Sequence, residues 1–164
     1  MDQISNRVFK LAAPVVYKQL TELFNPSLKS GEYPDDWKLA KVSPVFKAGK
    51  LNDPNNYRPL SILSTISKVF EKLVYEQIYN YLTKNNLLDS RQSGFRSLPS
   101  TVTARLDFAN QWCFNIDRGL VSGILFFDLK KSSDTVDQQL LLAKLEYIGI
   151  RGLAWFKSYL VNRF

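Results

Sequence analysis

Apolar residues recur at helical spacing in five stretches of this chain and alternate or run together in three shorter ones. Val15, Val16, Leu20, Leu23 and Phe24 predict an amphipathic helix within residues 1–28, with Pro14 suited to a first helical position. Ser30-Gly31-Glu32-Tyr33-Pro34 ends it. Trp37 reads as a core or edge aromatic. Ala40, Val42 and Phe46 alternate with Lys41, Ser43 and Lys47, the pattern of a half-exposed strand, and Pro44 pushes that strand toward a sheet edge. Turn residues follow at Gly49-Lys50 and Asp53-Pro54-Asn55-Asn56. Tyr57 to Leu63 reads as a second strand, so the two predict a hairpin with a polar tip. From Ser64, a plausible cap, to Lys84 the residues Ile66, Phe70, Leu73, Ile78 and Tyr81 form one helical stripe. Gln92 to Arg96 is a loop in which Gly94 permits a backbone angle or a close approach that other residues resist. Ser100 to Ile116 predicts a helix with Val102, Leu106, Ala109 and Cys113 on one face. Two more are predicted over Thr135–Ile148, with Leu141, Leu145 and Ile148 inward, and over 152–161, around Trp155, Phe156, Tyr159 and Leu160.

Leu120 to Asp137, LVSGILFFDLKKSSDTVD, is the stretch around which the rest is organised. Ile124-Leu125-Phe126-Phe127 reads as a strand buried on both faces, and it ends abruptly in Asp128. Lys130 and Lys131 follow, then Ser132-Ser133-Asp134, which can cap a helix beginning near Thr135. Strand, carboxylate, basic turn and helix together suit a divalent cation that holds a phosphate. Asp at a strand-to-helix turn is also ordinary turn chemistry, and on these residues alone that reading is the stronger.

Composition narrows the chemistry. A chain of 164 residues with 45% hydrophobic and 13% aromatic content can bury a sizeable core. Net charge is +7, which fits a polyanionic partner. Between Lys38 and Lys72 seven Lys/Arg face two acids, Asp53 and Glu71. The chain has no histidine and one cysteine, Cys113, which excludes Ser-His-Asp and Cys-His catalysis, zinc sites of the usual kinds and an internal disulfide. Cys113 is expected to pack as a small apolar side chain in a reducing compartment. No apolar run approaches membrane-spanning length, and no membrane partner is expected. On charge alone, Lys41, Lys47, Lys50 and Arg58 fit either a phosphate clamp or a solvated hairpin face, and the solvated face is the simpler account.

Four blocks, in order, resemble a known family. F-F-D-L-K-K-x-x-D-T-V-D resembles motif A of the reverse transcriptases of non-LTR retrotransposons, the jockey-like and LINE-like elements, where the usual form is F-x-D-L-K-K-A-F-D-x-V-D-H. Tyr33-Pro34-Asp35-Asp36-Trp37-Lys38 with Val42-Ser43-Pro44-Val45-Phe46-Lys47 resembles the opening block. Asn56-Tyr57-Arg58-Pro59-Leu60-Ser61 resembles N-Y-R-P-I-S, and Gln92-Ser93-Gly94-Phe95-Arg96 resembles Q-x-G-F-R. The resemblance implies an α+β fold: the fingers and partial palm of a right-handed polymerase, helices with short antiparallel strands, truncated before the catalytic hairpin. It divides the chain into a helical lead-in at 1–30 and a partial reverse transcriptase domain at 31–164, with fingers at 31–119 and the start of the palm at 120–164.

What the family does is RNA-directed DNA polymerisation with two Mg²⁺ ions about 3.5–4 Å apart. The resemblance makes Asp128 the catalytic residue and metal ligand, helped by the backbone carbonyl of Leu129. It assigns Lys47 and Arg58 to the triphosphate of the incoming dNTP. Lys41, Lys50, Gln92 and Arg96 become candidate nucleic-acid contacts. Template RNA, a DNA primer and the remainder of a retroelement polyprotein are the implied partners, and the implied location is intracellular, in cytoplasm and nucleus. Two departures stand out. The family's F/Y-A-D-D hairpin and G-x-P-Q-G block do not occur here, so the chain by itself is expected not to polymerise DNA. Ser132-Ser133 replaces Ala-Phe, which puts Ser133 where the family's Phe excludes ribonucleotides. A non-catalytic, basic RNA-binding module or a decayed element remnant is the competing reading.

Overall fold

The computed structural model describes residues 4–96, 100–129 and 135–163. Helix α1 covers Asn6–Ser30. Strands β1 (Ala40–Phe46) and β2 (Tyr57–Leu63) form an antiparallel hairpin. Helices α2 (Thr65–Lys84), α3 (Thr101–Asp117), α4 (Gln138–Tyr147) and α5 (Leu153–Leu160) complete the described elements. The chain divides into two compact units, residues 1–79 with 137–164, and residues 80–136.

The first unit is built on aromatic residues. Phe24 of α1, Tyr33, Phe70 of α2 and Trp155 of α5 are its buried hydrophobic residues. Phe24 stacks on Phe70 with centroids 4.5 Å apart, and Trp37 meets both rings edge-on. Trp155 lies edge-on to Phe70 at 5.3 Å and stacks on Tyr159 at 5.4 Å. Such offset and edge geometries add to the area each ring removes from water.

Buried polar atoms among these rings are matched. Ser67 Oγ, with no exposed surface, pairs with Tyr33 Oη at 2.8 Å. Trp155 Nε1 donates to Ser27 Oγ (3.0 Å), and that hydroxyl donates to the Glu32 carbonyl. Arg163 bonds Glu71 and lies 4.1 Å from the Tyr159 ring centroid.

Burial lifts the Tyr33 hydroxyl from 10.0 to about 12, against the opposing hydrogen bond from Ser67. The unfolded chain therefore releases this proton first as pH rises. The contribution is fully present below pH 10 and is lost between about pH 10 and 12. Urea midpoints across that window should fall with pH, and Tyr33→Phe should fall less steeply; parallel curves would refute the assignment.

Helix ends follow local chemistry, and two differ from the sequence expectation. Helix α1 starts at Asn6 with Ser5 as its cap, so Pro14 lies inside it rather than at its first turn. The Ser5 hydroxyl supplies the cap that fixes the earlier start. Gly31 ends the helix at φ 73°, and an added Cβ there would meet the Ala154 Cβ at 3.0 Å. Ser64 caps α2 as expected, its Oγ accepting the Ser67 N–H at 3.2 Å. Helix α4 starts at Gln138, not near Thr135, because Asp137 accepts the N–H groups of Gln139 (2.9 Å) and Leu140 (3.0 Å). Asp137 is thus the cap itself. Gly149 follows α4 at φ 84°, as its position predicts.

The second unit departs further. Helix α3 forms, held at its start by a reciprocal Ser100–Thr103 capping box. Its expected apolar face is open, however: Val102 and Leu106 are 61% and 56% exposed, and Cys113 is exposed rather than packed. Ile124 to Phe127 form no strand, and Phe126 and Phe127 are more than 80% exposed. A strand buried on both faces needs neighbours to pair its N–H and C=O groups. Among the described residues the sheet is the β1–β2 hairpin, so this run has none.

Candidate nucleotide-binding hairpin and acidic loop

Side-chain alternation and cross-strand register define the hairpin site. Val45 pairs with Arg58, Ser43 with Leu60 and Lys41 with Ile62. Residues directly opposite share a face. One face therefore carries Lys41, Ser43, Val45 and Lys47 with Arg58, Leu60 and Ile62. Lys47 and Arg58 are diagonal neighbours on it, at a spacing of about 7 Å between Cβ atoms. Lys41 lies four residues from Val45, about 13 Å along the strand. All three cations are exposed. The ion pairs found among the described residues are Lys38–Asp35, Lys72–Glu76 and Arg163–Glu71, so none of these three is neutralised by an acid there. Lys38 is different: it is buried, with Nζ 2.7 Å from Asp35, and its charge does not join the basic face.

Both outer edges of the hairpin are blocked. Lys47 N–H donates to the Asn56 carbonyl at 2.8 Å. Counting back from that bond, Val45–Arg58 is a hydrogen-bonded pair and Pro44–Pro59 is not. At Pro44 and Pro59 the main chain points away from the partner strand, where neither residue has an N–H to offer. The missing donors cost the ladder nothing and discourage a third strand.

The tip is ordered by its own hydrogen bonds. Lys50 ends a turn through Gly49, whose φ of 98° favours glycine. Asn56 Nδ2 donates to the Lys50 carbonyl (2.9 Å), and Tyr57 Oη donates to the Leu51 carbonyl (2.7 Å). Asp53 caps the short turn Pro54–Asn56, accepting from the N–H and Nδ2 of Asn55.

Gln92 and Arg96 belong to the second unit and are turned on their own loop. Gln92 Nε2 donates to the Gly94 carbonyl at 3.1 Å, and Arg96 Nη1 donates to the Asp89 carbonyl at 2.8 Å. Arg96 Nε is enclosed without a partner. The strained backbone expected at Gly94 sits instead at Phe95, which has φ 59° and is 98% exposed. Among the described residues nothing lies within 4 Å of a Cβ added to Gly94, so none of them approaches it closely.

Asp128 and Leu129 are exposed in irregular backbone. A carboxylate and a carbonyl are hard oxygen donors of the kind Mg²⁺ accepts, but Mg²⁺ demands near-octahedral coordination. Among the described residues no three His, Cys, Asp or Glu side chains come together. The described donor set therefore does not fit a two-ion centre. Ser133, with Lys130, Lys131, Ser132 and Asp134, lies outside the described residues.

Sequence reading missed the apolar cleft at the hairpin tip, lined by Pro44, Leu51, Asn52, Pro54, Tyr57 and Pro59. Three prolines around one tyrosine were the available signal. No described helix is long and apolar enough to cross a membrane.

The sequence profile of a family described as reverse transcriptase (RNA-dependent DNA polymerase) matches residues 45–164. The chain is 28% identical over 99% of its length to the probable RNA-directed DNA polymerase from transposon BS of Drosophila melanogaster. It is 30% identical over 99% of its length to the corresponding protein of the X-element of the same species. Identity is 27% over 87% of the chain to the RNA-directed DNA polymerase from its mobile element jockey. The chain spans 18%, 18% and 16% of these relatives. No solved structure matches it.

Proposed function

The chain belongs to the reverse transcriptase (RNA-dependent DNA polymerase) family, and from that membership we propose that it forms the fingers and the start of the palm of an RNA-directed DNA polymerase carried by a jockey-like non-LTR retrotransposon. The observation that carries this reading is the hairpin register, which sets Lys47 and Arg58 side by side on one exposed face. Side chains whose Cβ atoms lie about 7 Å apart can bring a guanidinium and an ammonium to one triphosphate: the fork holds two oxygens of one phosphate and the point charge holds another. Lys41 and Lys50 extend the same charge toward a nucleic-acid backbone. The reading gives Asp128 and the Leu129 carbonyl part of the donor set for Mg²⁺, with template RNA, a DNA primer and dNTPs as substrates. The remaining donors would come from further sequence of the polyprotein.

Binding of a dNTP to the full chain, read by ligand-detected NMR at low salt, tests the hairpin. Arg58→Ala is expected to weaken dNTP binding about tenfold or more, because a charge-assisted hydrogen bond contributes about 1.5–3 kcal/mol. The matching nucleoside should bind weakly and equally to both proteins. If Arg58→Ala and Lys47→Ala bind dNTP as well as the parent does, the clamp is wrong. Steeply salt-dependent RNA binding that dNTPs leave untouched would then favour a non-catalytic RNA-binding module.

A further inference from the structure

Helix α1 is apolar on two sides. Leu20 and Phe24 face the aromatic core of the first unit. Val8, Leu11 and Val15 lie roughly opposite them, within about 60° of one another at about 100° per residue. Leu11 and Val15 are 74% and 75% exposed, and Val8 is exposed too. The core does not use this second stripe, and neither does the triphosphate clamp. Helix α1 also precedes residues 45–164, which carry the family match. We propose that the stripe docks an amphipathic helix of a protein partner, one whose apolar seam is edged by carboxylates.

The stripe is ordered before any partner arrives. Ser5 caps the helix, its Oγ accepting the Val8 N–H at 3.3 Å. Thr65 Oγ1, at the start of α2, donates to the Ile4 carbonyl (2.8 Å) and lies 3.1 Å from Asn6 Oδ1. The first turn is thus tied to α2, and Phe24 on the inner side is stacked on Phe70. Positions 8, 11 and 15 are spaced by three and then four residues, the spacing of a coiled-coil seam that offers knobs to one facing helix. A stripe held in this way has little freedom left to lose on docking.

Charge selects the occupant. Lys18 and Arg7 lie about 20° and 40° beyond Leu11 on one flank of the stripe, with Lys10 further round on that side. The opposite flank carries Ser5, Ala12 and Gln19, none of them charged. Arg7 and Lys18 are exposed, and the ion pairs found among the described residues involve neither. Glu22, one turn beyond Lys18, is the acid nearest the stripe along α1. A helix with carboxylates along its seam meets both the apolar positions and the cations. A second copy does not: in a parallel pair Lys18, at the next seam position, would face itself, and in an antiparallel pair the two basic flanks would meet. A bilayer would attract the cations, but the stripe has no Trp or Phe to anchor it, and the inner face of α1 is held in the core. Three aliphatic side chains give bases nothing to stack on.

The test uses the full chain and two labelled synthetic heptad peptides, identical in their Leu seam and flanked either by Glu or by Lys, followed by fluorescence anisotropy. The Glu-flanked peptide is expected to bind at least about tenfold tighter than its Lys-flanked twin. Leu11→Asn, at an exposed position, should weaken that binding about tenfold or more, the scale of one buried leucine. Leu106→Asn, on the exposed face of α3, should leave it unchanged. Arg7→Glu with Lys18→Glu should reverse the preference toward the Lys-flanked peptide, a result that a misfolded protein would not give. Equal binding of a scrambled Glu peptide with no seam, or binding that survives Leu11→Asn, would overturn the proposal, because attraction to the net charge alone would account for it. Leu11-dependent dimerisation in sedimentation, or Leu11-dependent binding to phosphatidylserine vesicles without binding to the Glu peptide, would overturn it in favour of a second copy or a lipid surface. The clamp has a separate readout: none of these variants touches Lys47 or Arg58, so dNTP binding should stay at the parent level in all of them.

Discussion

Replacing Phe70 by alanine is expected to cost about 3–5 kcal/mol and to unfold much of the first unit. Phe70 is 1% exposed and meets four aromatic partners: Phe24, Tyr33, Trp37 and Trp155. Those partners come from α1, the segment before β1, and α5, so one side chain joins pieces distant in sequence. The other buried hydrophobic residues of the unit are its own neighbours, Phe24, Tyr33 and Trp155. Collapse around the vacancy is limited by the hydrogen bonds that fix Tyr33 to Ser67 and Trp155 to Ser27. A total stability of about 5–15 kcal/mol leaves little margin for a loss of this size. Urea unfolding followed by near-ultraviolet circular dichroism, which sees Trp37 and Trp155, measures the change. Val15→Ala, at a position 75% exposed, should shift the midpoint very little. A Phe70→Ala cost below about 1 kcal/mol would mean that the aromatic cluster does not hold the unit together.

The contrast between the two units explains what could be read from sequence. The hairpin was legible because alternation, turn residues and Pro44 all act within a few residues of one another. Helix α2 was legible for the same reason, down to its Ser64 cap. Register then followed from the turn, and it is register that sets Lys47 beside Arg58. The run Ile124–Phe127 was legible only as composition. Four apolar residues describe a buried strand, but burial belongs to the partners, and the described residues contain none for it. The faces of α3 fail for the same reason. Pro14 misled because proline is tolerated at a first turn while a stronger cap, Ser5, lay upstream. Lys38 and Arg96 show the limit of counting charge: one is buried against Asp35, and the other is folded onto the Asp89 carbonyl. Neither partner can be read from a run of basic letters.

The chain on its own is expected to extend no primer. With an RNA template, a DNA primer, dNTPs and millimolar Mg²⁺, product should stay at the level of a reaction without protein, and Asp128→Asn should change nothing. Positioning is the first reason. Phosphoryl transfer draws on alignment worth about 7–11 kcal/mol, and alignment needs rigid support. Asp128 ends an exposed run that has no strand partner among the described residues, between Phe127, 82% exposed, and Leu129, 73% exposed. Donor count is the second. Mg²⁺ binds through near-octahedral oxygen coordination, and among the described residues no trio of ligating side chains assembles. The hairpin does not share this defect, because its geometry is complete within residues 40–63. The two activities should therefore separate: dNTP binding that depends on Arg58, and no incorporation. Template-dependent extension that Asp128→Asn abolishes would refute this account, because it would mean that the chain assembles a catalytic metal centre around Asp128. Extension that survives Asp128→Asn would point instead to a contaminating polymerase, which the same assay on a mock purification identifies.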